Sequence, residues 1–280
     1  MTGNQANGGL APRVQDAEFP VIDVTKAHIA RVYDFMLGGK DNFAVDREAA
    51  RQVIAAYPAI RVIARTQRAF LGRVVRHLAA EAGIRQFLDV GTGLPSADNT
   101  HEVAQRVAPE SRIVYVDNDP MVLVHARALL VGSREGATSY VHADLRDTSE
   151  ILREAARTLD FGQPVAVMLL GILHNIADED DPLGLVAKLM AAVPAGSYLV
   201  LSHLARDIAA EHVGEAAERY NKLAVSPVTF RTHAEVSRFF EGLELLEPGV
   251  VQLHRWRADP ADLALGHGDL ANYGAVGRKP

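Results

Sequence analysis

The sequence predicts an α/β domain with a seven-stranded, mostly parallel sheet and a helical segment in front of it. Three observations carry this. From Ile84 onward, short β-rich apolar runs alternate with stretches of helical periodicity, the rhythm of strand-helix-strand units that cover both faces of a sheet. Before Ile84, apolar residues recur three and four apart without a strand-like run, which is the helical spacing. The chain has 280 residues, 48% hydrophobic and 23% charged, enough to bury one large core.

Residues 1–20, rich in Gly, Asn, Gln and Pro, are expected to form a flexible arm. Residues 21–82 read as an N-terminal helical cap. Its first helix, Ala27 to Leu37 in "KAHIARVYDFMLGG", ends at Gly38 and Gly39, and a second helical stretch runs through "REAARQVIAAYPAIRVIARTQRAFLGRVVRHLAAEAG". Arg61, Arg65, Arg68, Arg73 and Arg76 fall there at helical spacing and read as a solvated face. Residues 83–280 read as the sheet domain. "IRQFLDVG", "SRIVYVDND", "TSYVHADLRD", "PVAVMLLG" and "SYLVLSH" are its strands, with helices in "SADNTHEVAQRVAP", in "PMVLVHARALLVG", over 149–159 and over 182–193. A helical insertion at about 205–228 follows. The helix in "THAEVSRFFEG" opens on a capping box of Thr232 and Glu235. "LELLEPGVVQLHRW" and "NYGAVGRKP" close the sheet as two further strands.

Composition excludes several functions. A net charge of −6 disfavours neutralising nucleic-acid phosphates, so no nucleic-acid partner is expected. With no cysteine, disulfides, thiolate metal sites and a cysteine nucleophile are excluded, and no metal site is expected. No apolar run reaches the length of a membrane helix, and the polar start "MTGNQANGG" is unlike a signal peptide. The chain therefore reads as cytoplasmic, with no membrane partner.

In an open sheet of this kind, ligands bind beyond the carboxyl ends of the strands. The first strand ends in "FLDVGTGLP", where Gly91 and Gly93 permit a tight turn and close approach of a ligand. The following helix aims its free N–H groups at the same place. A tight turn without a ligand is the alternative. The second strand ends in "VYVDND" and places Asp117, 26 residues after Gly91, where a carboxylate can accept both hydroxyl protons of a ribose. Asp119 reads as the cap of the helix starting at Pro120, which leaves Asp117 and Asn118 for a ligand. At the third strand end, Asp144 can take the exocyclic amine of an adenine and Leu145 can pack on its ring. A loop Asp capping the next helix is the alternative there.

Two nucleoside ligands suit such a pocket. A dinucleotide needs its pyrophosphate at the helix N-terminus, but Pro95 removes a donor and Asp98 adds repulsive charge. S-adenosylmethionine carries a cationic sulfonium and an ammonium, for which nearby carboxylates such as Asp89 are favourable. The electrostatics favour the sulfonium ligand.

"FLDVGTGLP", "VYVDNDPMVL", "HADLRD" and "LLGILHNI", in this order, resemble the class I, Rossmann-like S-adenosylmethionine-dependent methyltransferases. "ARVYDFMLGGKDNFAVDREAA", "GTGLPSADNTHEVAQRVAP", "HRW" and "YGAVGRKP" resemble an actinobacterial group, the S-adenosyl methyltransferase family, over nearly the whole chain from about residue 20. The resemblance implies that Gly91, Thr92 and Gly93 flank the methionine part, Asp117 binds the ribose, and Asp144 with Leu145 flanks the adenine. Leu94-Pro95 departs from the small residues that many members of the wider class carry there. The resemblance names no acceptor.

The fourth strand ends in "LLGILHNIADEDDP", so Gly171 through Asn175 are expected nearest the transferred methyl. His174 is a candidate general base or substrate orienter, as a strand-end histidine with a pKa suited to neutral pH. The loop "GGKDNFAVD" is expected to fold over the cleft as a lid, Gly38 and Gly39 permitting its conformation, while Tyr33, Lys40, Asp41 and Asn42 bring hydrogen-bonding groups and Lys40 meets the methionine carboxylate. A glycine helix stop followed by a solvated turn is the alternative. The function that follows is methyl transfer from S-adenosylmethionine to a small-molecule acceptor, with a homodimer as the candidate assembly. A nicotinamide-dependent oxidoreductase and a non-catalytic binder of the cofactor are the alternatives.

Overall fold

The computed structural model describes residues 22–129, 132–260, 263 and 266–280; the arm expected over 1–20 lies outside them. Three helices come first: α1 (Ile29–Leu37), α2 (Ala44–Ala56) and α3 (Ile60–Ala80). The second helical stretch is thus two helices, because Pro58 lacks the N–H that would carry α2 onward. α1 stops where Gly38 turns left-handed at φ 89° and its N–H reaches back to the carbonyls of Asp34 and Phe35, a glycine stop that satisfies the last carbonyls.

The sheet contains β1 (Gln86–Val90), β2 (Arg112–Asp117), β3 (Ala137–His142), β4 (Ala166–Leu170), β5 (Tyr198–Leu204), β6 (Glu244–Leu245) and β7 (Asn272–Arg278). Their spatial order is β3-β2-β1-β4-β5-β7-β6. β1 through β5 pair in parallel, and β7 runs antiparallel to β5, with Val200 opposite Val276. The seven-stranded, mostly parallel sheet expected from the sequence is therefore present. "LELLEPGVVQLHRW" is mostly not strand: β6 has two residues, Val251 makes one bridge to Gly274, and 253–255 form a 3₁₀ turn. Pro248 and Gly249 interrupt the ladder there.

The linking helices are α4 (Thr100–Val107), α5 (Pro120–Leu129), α6 (Thr148–Ala155), α7 (Pro182–Ala191), α8 (Ala210–Asn221) and α9 (His233–Ser237). The Thr232–Glu235 capping box is formed, with Thr232 N donating to Glu235 at 2.7 Å. Alternation along the strands divides the core in two. On β4, Ala166, Met168 and Leu170 face a cluster with Phe70, Val74 and Leu78 of α3. Val167 and Leu169 face the other, which also holds α6, α7, α8 and the inner sides of α1 and α2. Trp256 is fully buried in the first cluster and meets the Phe70 ring edge-on at 5.5 Å.

The arginines of α3 do not share one environment. Arg61, Arg65 and Arg76 are exposed as expected, whereas Arg73 clamps the carbonyls of Leu253 and Trp256 at 2.7 and 3.0 Å. Arg68 turns toward the strand ends. Among the described residues no helix is long and apolar enough to cross a membrane.

The strand order reverses between β1 and β4, since β1 continues to β2 on one side and β4 to β5 on the other. That switch opens a crevice at their carboxyl ends.

Candidate functional site

The floor of the crevice is the turn after β1. Gly91 adopts φ 76°, and a Cβ there would sit 2.6 Å from the side chain of Ile172, so no other residue fits without displacing the β4 loop. Its N–H and that of Thr92 donate to Val116 O at 2.8 and 3.2 Å, and Thr92 Oγ1 donates to Asp89 O at 3.1 Å. The N–H of Gly93 donates to Asp117 Oδ2 at 2.7 Å, while a Cβ on Gly93 would meet no atom within 4 Å. That residue borders open space.

Asp117, buried at the tip of β2, is held at both oxygens, since Asp119 N donates to its Oδ1 at 2.9 Å. Burial raises its pKa, against the lowering effect of those two N–H groups. Each oxygen has a second lone pair. Asp119 caps α5 as expected, accepting from Met121 N at 2.9 Å. Asn118 donates to Asp144 Oδ2 at 3.0 Å, and Arg146 reaches Asp144 Oδ1 through both its backbone N and Nε at 2.9 Å. Burial would raise the Asp144 carboxyl, but the Arg146 and Asn118 bonds outweigh it and leave it below its ordinary value.

Two cavities meet over these residues. The larger encloses about 1370 Å³, counting its open mouth, and the smaller about 550 Å³. Gly91, Asp117, Asn118, Ile172, His28 and Tyr220 form walls of both. The smaller adds Asp144 and Leu145. The larger adds Asp89, Thr92, Gly93, Gly171, His174 and Tyr33. The structure thus gathers nearly all the expected strand-end residues around one divided space.

The loop "GGKDNFAVD" is a correction. Gly38, Gly39, Lys40 and Asn42 line neither cavity, and Lys40 is exposed. The loop closes instead on Asp34, whose Oδ2 accepts from Asp41 N at 3.0 Å and from Asn42 Nδ2 at 2.7 Å. The Asp34 carboxylate fills the place where a Cβ on Gly39 would sit. These residues make a helix stop, and the roof of the cleft is the inner face of α1 itself, with His28, Ala30, Tyr33 and Met36. Tyr33 donates to Ala64 O at 3.0 Å.

A buried ionic latch holds that roof down. Arg31 lies 3.3 Å from Asp119 Oδ2 and 3.7 Å from Asp46 Oδ1, and all three side chains are almost fully buried. His28 Nδ1 is 3.1 Å from the same Asp119 oxygen, and its backbone N–H donates to Asp46 at 2.9 Å. The segment before α1 is also stitched to the end of α8, by Ala27 N to Leu223 O and Val225 N to Ala27 O, both 3.0 Å.

The turn after Gly93 is longer than expected, and α4 starts only at Thr100. Its first turn is already used: Thr100 Oγ1 donates to Asp89 Oδ2 at 2.6 Å and His101 N donates to Tyr115 Oη at 2.8 Å. The helix N-terminus therefore offers no open anion site. Burial pushes the Asp89 carboxyl up to about 6, against the Thr100 bond and the charge of Arg68.

His174 is buried in the larger cavity wall. Its Nδ1 is sealed without a partner among the described residues, and its ring meets His203 and Phe230 edge-on at 5.7 and 6.3 Å. Burial, reinforced by His203 and Arg231, lowers its pKa well below the ordinary histidine value. The pKa near neutrality expected from sequence is corrected: the ring is neutral at pH 7 and a weak base. Its NMR ring signals should show no titration at the ordinary histidine value of about 6.5; an inflection there would contradict this environment. Behind it, buried Arg231 donates to the carbonyls of Leu173 and Ile176, both at 2.9 Å, and to His203 Nε2 at 2.8 Å, fixing the loop.

Sequence reasoning missed Arg68, His28 and Gln67, which line the larger cavity. Arg68 donates to the carbonyls of Ala97 and Asp98 at 2.8 and 2.9 Å, an arrangement that holds its charge over the glycine turn. Only its position on α3, one turn from buried Ala64 and Leu71, distinguishes it from its exposed neighbours. Among the described residues no group of three or more His, Asp or Glu is placed to hold a metal ion.

Comparison with known proteins adds to this geometry. A family model described as S-adenosyl methyltransferase matches residues 15–280. The chain is 49% identical to a DUF574 family protein from Streptomyces avermitilis, with a TM-score of 0.90 over 93% of this chain and 100% of that one. It is 42% identical to a proposed methyltransferase from Thermobifida fusca, with a TM-score of 0.82 over 92% of this chain and 96% of that one. No curated protein matches the chain in sequence.

Proposed function

This chain belongs to the S-adenosyl methyltransferase family, and from that premise we propose that its cofactor lies across the tips of β1, β2 and β3 and that it methylates a small molecule. The protein is an S-adenosylmethionine-dependent methyltransferase. When bound, S-adenosylmethionine supplies a methyl group activated by a positive sulfonium.

The observation that carries the site assignment is the Asp117 carboxylate. It is buried, fixed by the N–H groups of Gly93 and Asp119, and forms a wall of both cavities. Its remaining lone pairs can accept from two vicinal hydroxyls of a ribose. In this reading Asn118, Asp144 and Leu145 border the adenine in the smaller cavity. Asp89, Gly91, Thr92, Gly93 and Gly171 surround the methionine part in the larger. Arg68, in place of Lys40, is the cation for the methionine carboxylate. Residues 21–82 act as the cap and 205–228 as the insertion that meets it, with the sheet-facing side of α3 anchoring the cap.

The donor set suits a cation. Asp89 and Asp117 both have carboxyls raised by burial, so a nearby positive group stabilises their charged forms. A diphosphate would face the same carboxylates with no free helix N-terminus, which disfavours a nicotinamide dinucleotide. His174, neutral in the loop after β4, orients the acceptor beside the methyl. Backside approach along the methyl–sulfur axis needs proximity more than a strong base.

The linkage has a definite sign. In the free protein Asp89 gains a proton as pH falls through about 6, and a bound ammonium favours the deprotonated form. Affinity for S-adenosylhomocysteine, which keeps that ammonium, should therefore weaken below about pH 6, by at most roughly tenfold per pH unit. Asp89→Asn should flatten the profile. Calorimetric titration from pH 5 to 7.5 measures it; a flat wild-type profile would remove Asp89 from the cofactor site.

A further inference from the structure

The larger cavity extends well beyond the strand tips, under α1 and between α2 and α8. Its lining runs from Asp89 and Asp117 at the strand tips to Val53 of α2 and Val213 of α8.

The chemistry of that outer part is uniform. α2 contributes Val53, the residue after it is Tyr57, α8 contributes Val213 and Ala217, and the chain leading to α9 contributes Val228 and Phe230. None is charged. The ionic groups of the cavity wall are all committed elsewhere: Asp89 and Asp117 at the strand tips, Arg68 on the carbonyls of the turn at 97–98, and His28 on Asp119. His174 is neutral. The polar functions facing the outer part are therefore uncharged ones, such as the Tyr57 hydroxyl, which accepts from Ala271 N at 3.2 Å and so keeps its own proton to donate.

We propose that the acceptor of this enzyme is an uncharged, largely apolar molecule held between α2, α8 and Phe230, its few hydrogen bonds made to neutral groups such as Tyr57 and His174. A carboxylate or ammonium placed there would lose its hydration with no counter-ion to replace it, whereas a neutral ring system loses little. The proposal rests on the assignment of the strand-tip half to the cofactor.

The test uses the full chain saturated with S-adenosylhomocysteine and three probes built on one ring system: 2-naphthol, 2-naphthoate and 2-naphthylmethylammonium, titrated calorimetrically at pH 7. Naphthol should bind at least tenfold more tightly than either ion. Equal or tighter binding of an ion, or absence of binding by all three at millimolar concentration, overturns the proposal. Ala217→Asp and Ala217→Trp locate the site, the first by adding a charge and the second by filling space; each should weaken naphthol binding at least tenfold. If both variants are folded by circular dichroism and bind naphthol as the wild type does, the proposed location is wrong. Failure of the cofactor assignment would be seen separately, as absence of heat when S-adenosylhomocysteine itself is titrated.

Discussion

Replacing Asp117 by alanine should reduce affinity for S-adenosylhomocysteine by about a hundredfold or more. Hydrogen bonds to a charged acceptor contribute about 1.5–3 kcal/mol each. Two ribose hydroxyls on one carboxylate therefore amount to at least about 3 kcal/mol, and every 1.4 kcal/mol is tenfold. The fold should survive. The carboxyl is held above its ordinary pKa by burial, so the native structure gains little from its charge and loses chiefly the acceptor for the N–H groups of Gly93 and Asp119. Asp117→Asn is the stricter variant, because an amide presents a donor to one of those two N–H groups and should also bind weakly. Calorimetry on variants with a native circular dichroism spectrum measures the effect. A folded Asp117→Ala protein with wild-type affinity would move the nucleoside elsewhere.

The second large effect is expected at Arg31. Its guanidinium is the cation between Asp46 and Asp119, and the two carboxylates are 0% and 1% exposed. Removing one partner of a buried pair leaves an uncompensated charge and destabilises by about 3–5 kcal/mol. Arg31→Ala should lower the denaturant midpoint accordingly. Because Asp119 also caps α5 and braces Asp117 through its N–H, the damage should reach the site as faster release of bound S-adenosylhomocysteine. Arg31→Lys keeps the charge but not the planar fork and should recover part of the stability. A loss below about 1 kcal/mol on Arg31→Ala would mean that the carboxylates find water or another donor, and the latch would not be what holds the roof.

Much of the framework is legible in the chain because short-range rules govern it. The alternation of apolar β-rich runs with helical periods placed β1 to β5 within a few residues, and the first acidic residue of "VYVDND", at the end of β2, is Asp117. The places where reading failed are those where a distant partner decides. "LELLEPGVVQLHRW" looks like strand by composition, yet Pro248 and Gly249 interrupt its pairing with β7 and its end is held to α3 by Arg73 at Leu253 and Trp256. The loop after α1 carries the polar groups a lid would need, but Asp34 collects them first. His174 suits a base by position, while its burial, reinforced by His203 and Arg231 from distant parts of the chain, makes it a weak one.

The amino-acid sequence by itself determined the α/β class and pointed to the strand tips and to a cationic nucleoside, since backbone periodicity, turn residues and local charge act over a few residues. Only the tertiary structure decided which arginine of α3 turns into the cleft, that α1 roofs it through Arg31, Asp46 and Asp119, and that Val53, Tyr57, Val213 and Phe230 line its outer part. Those depend on which side chains the crossovers bring together, and burial makes such long-range neighbours dominate the energy of a charge.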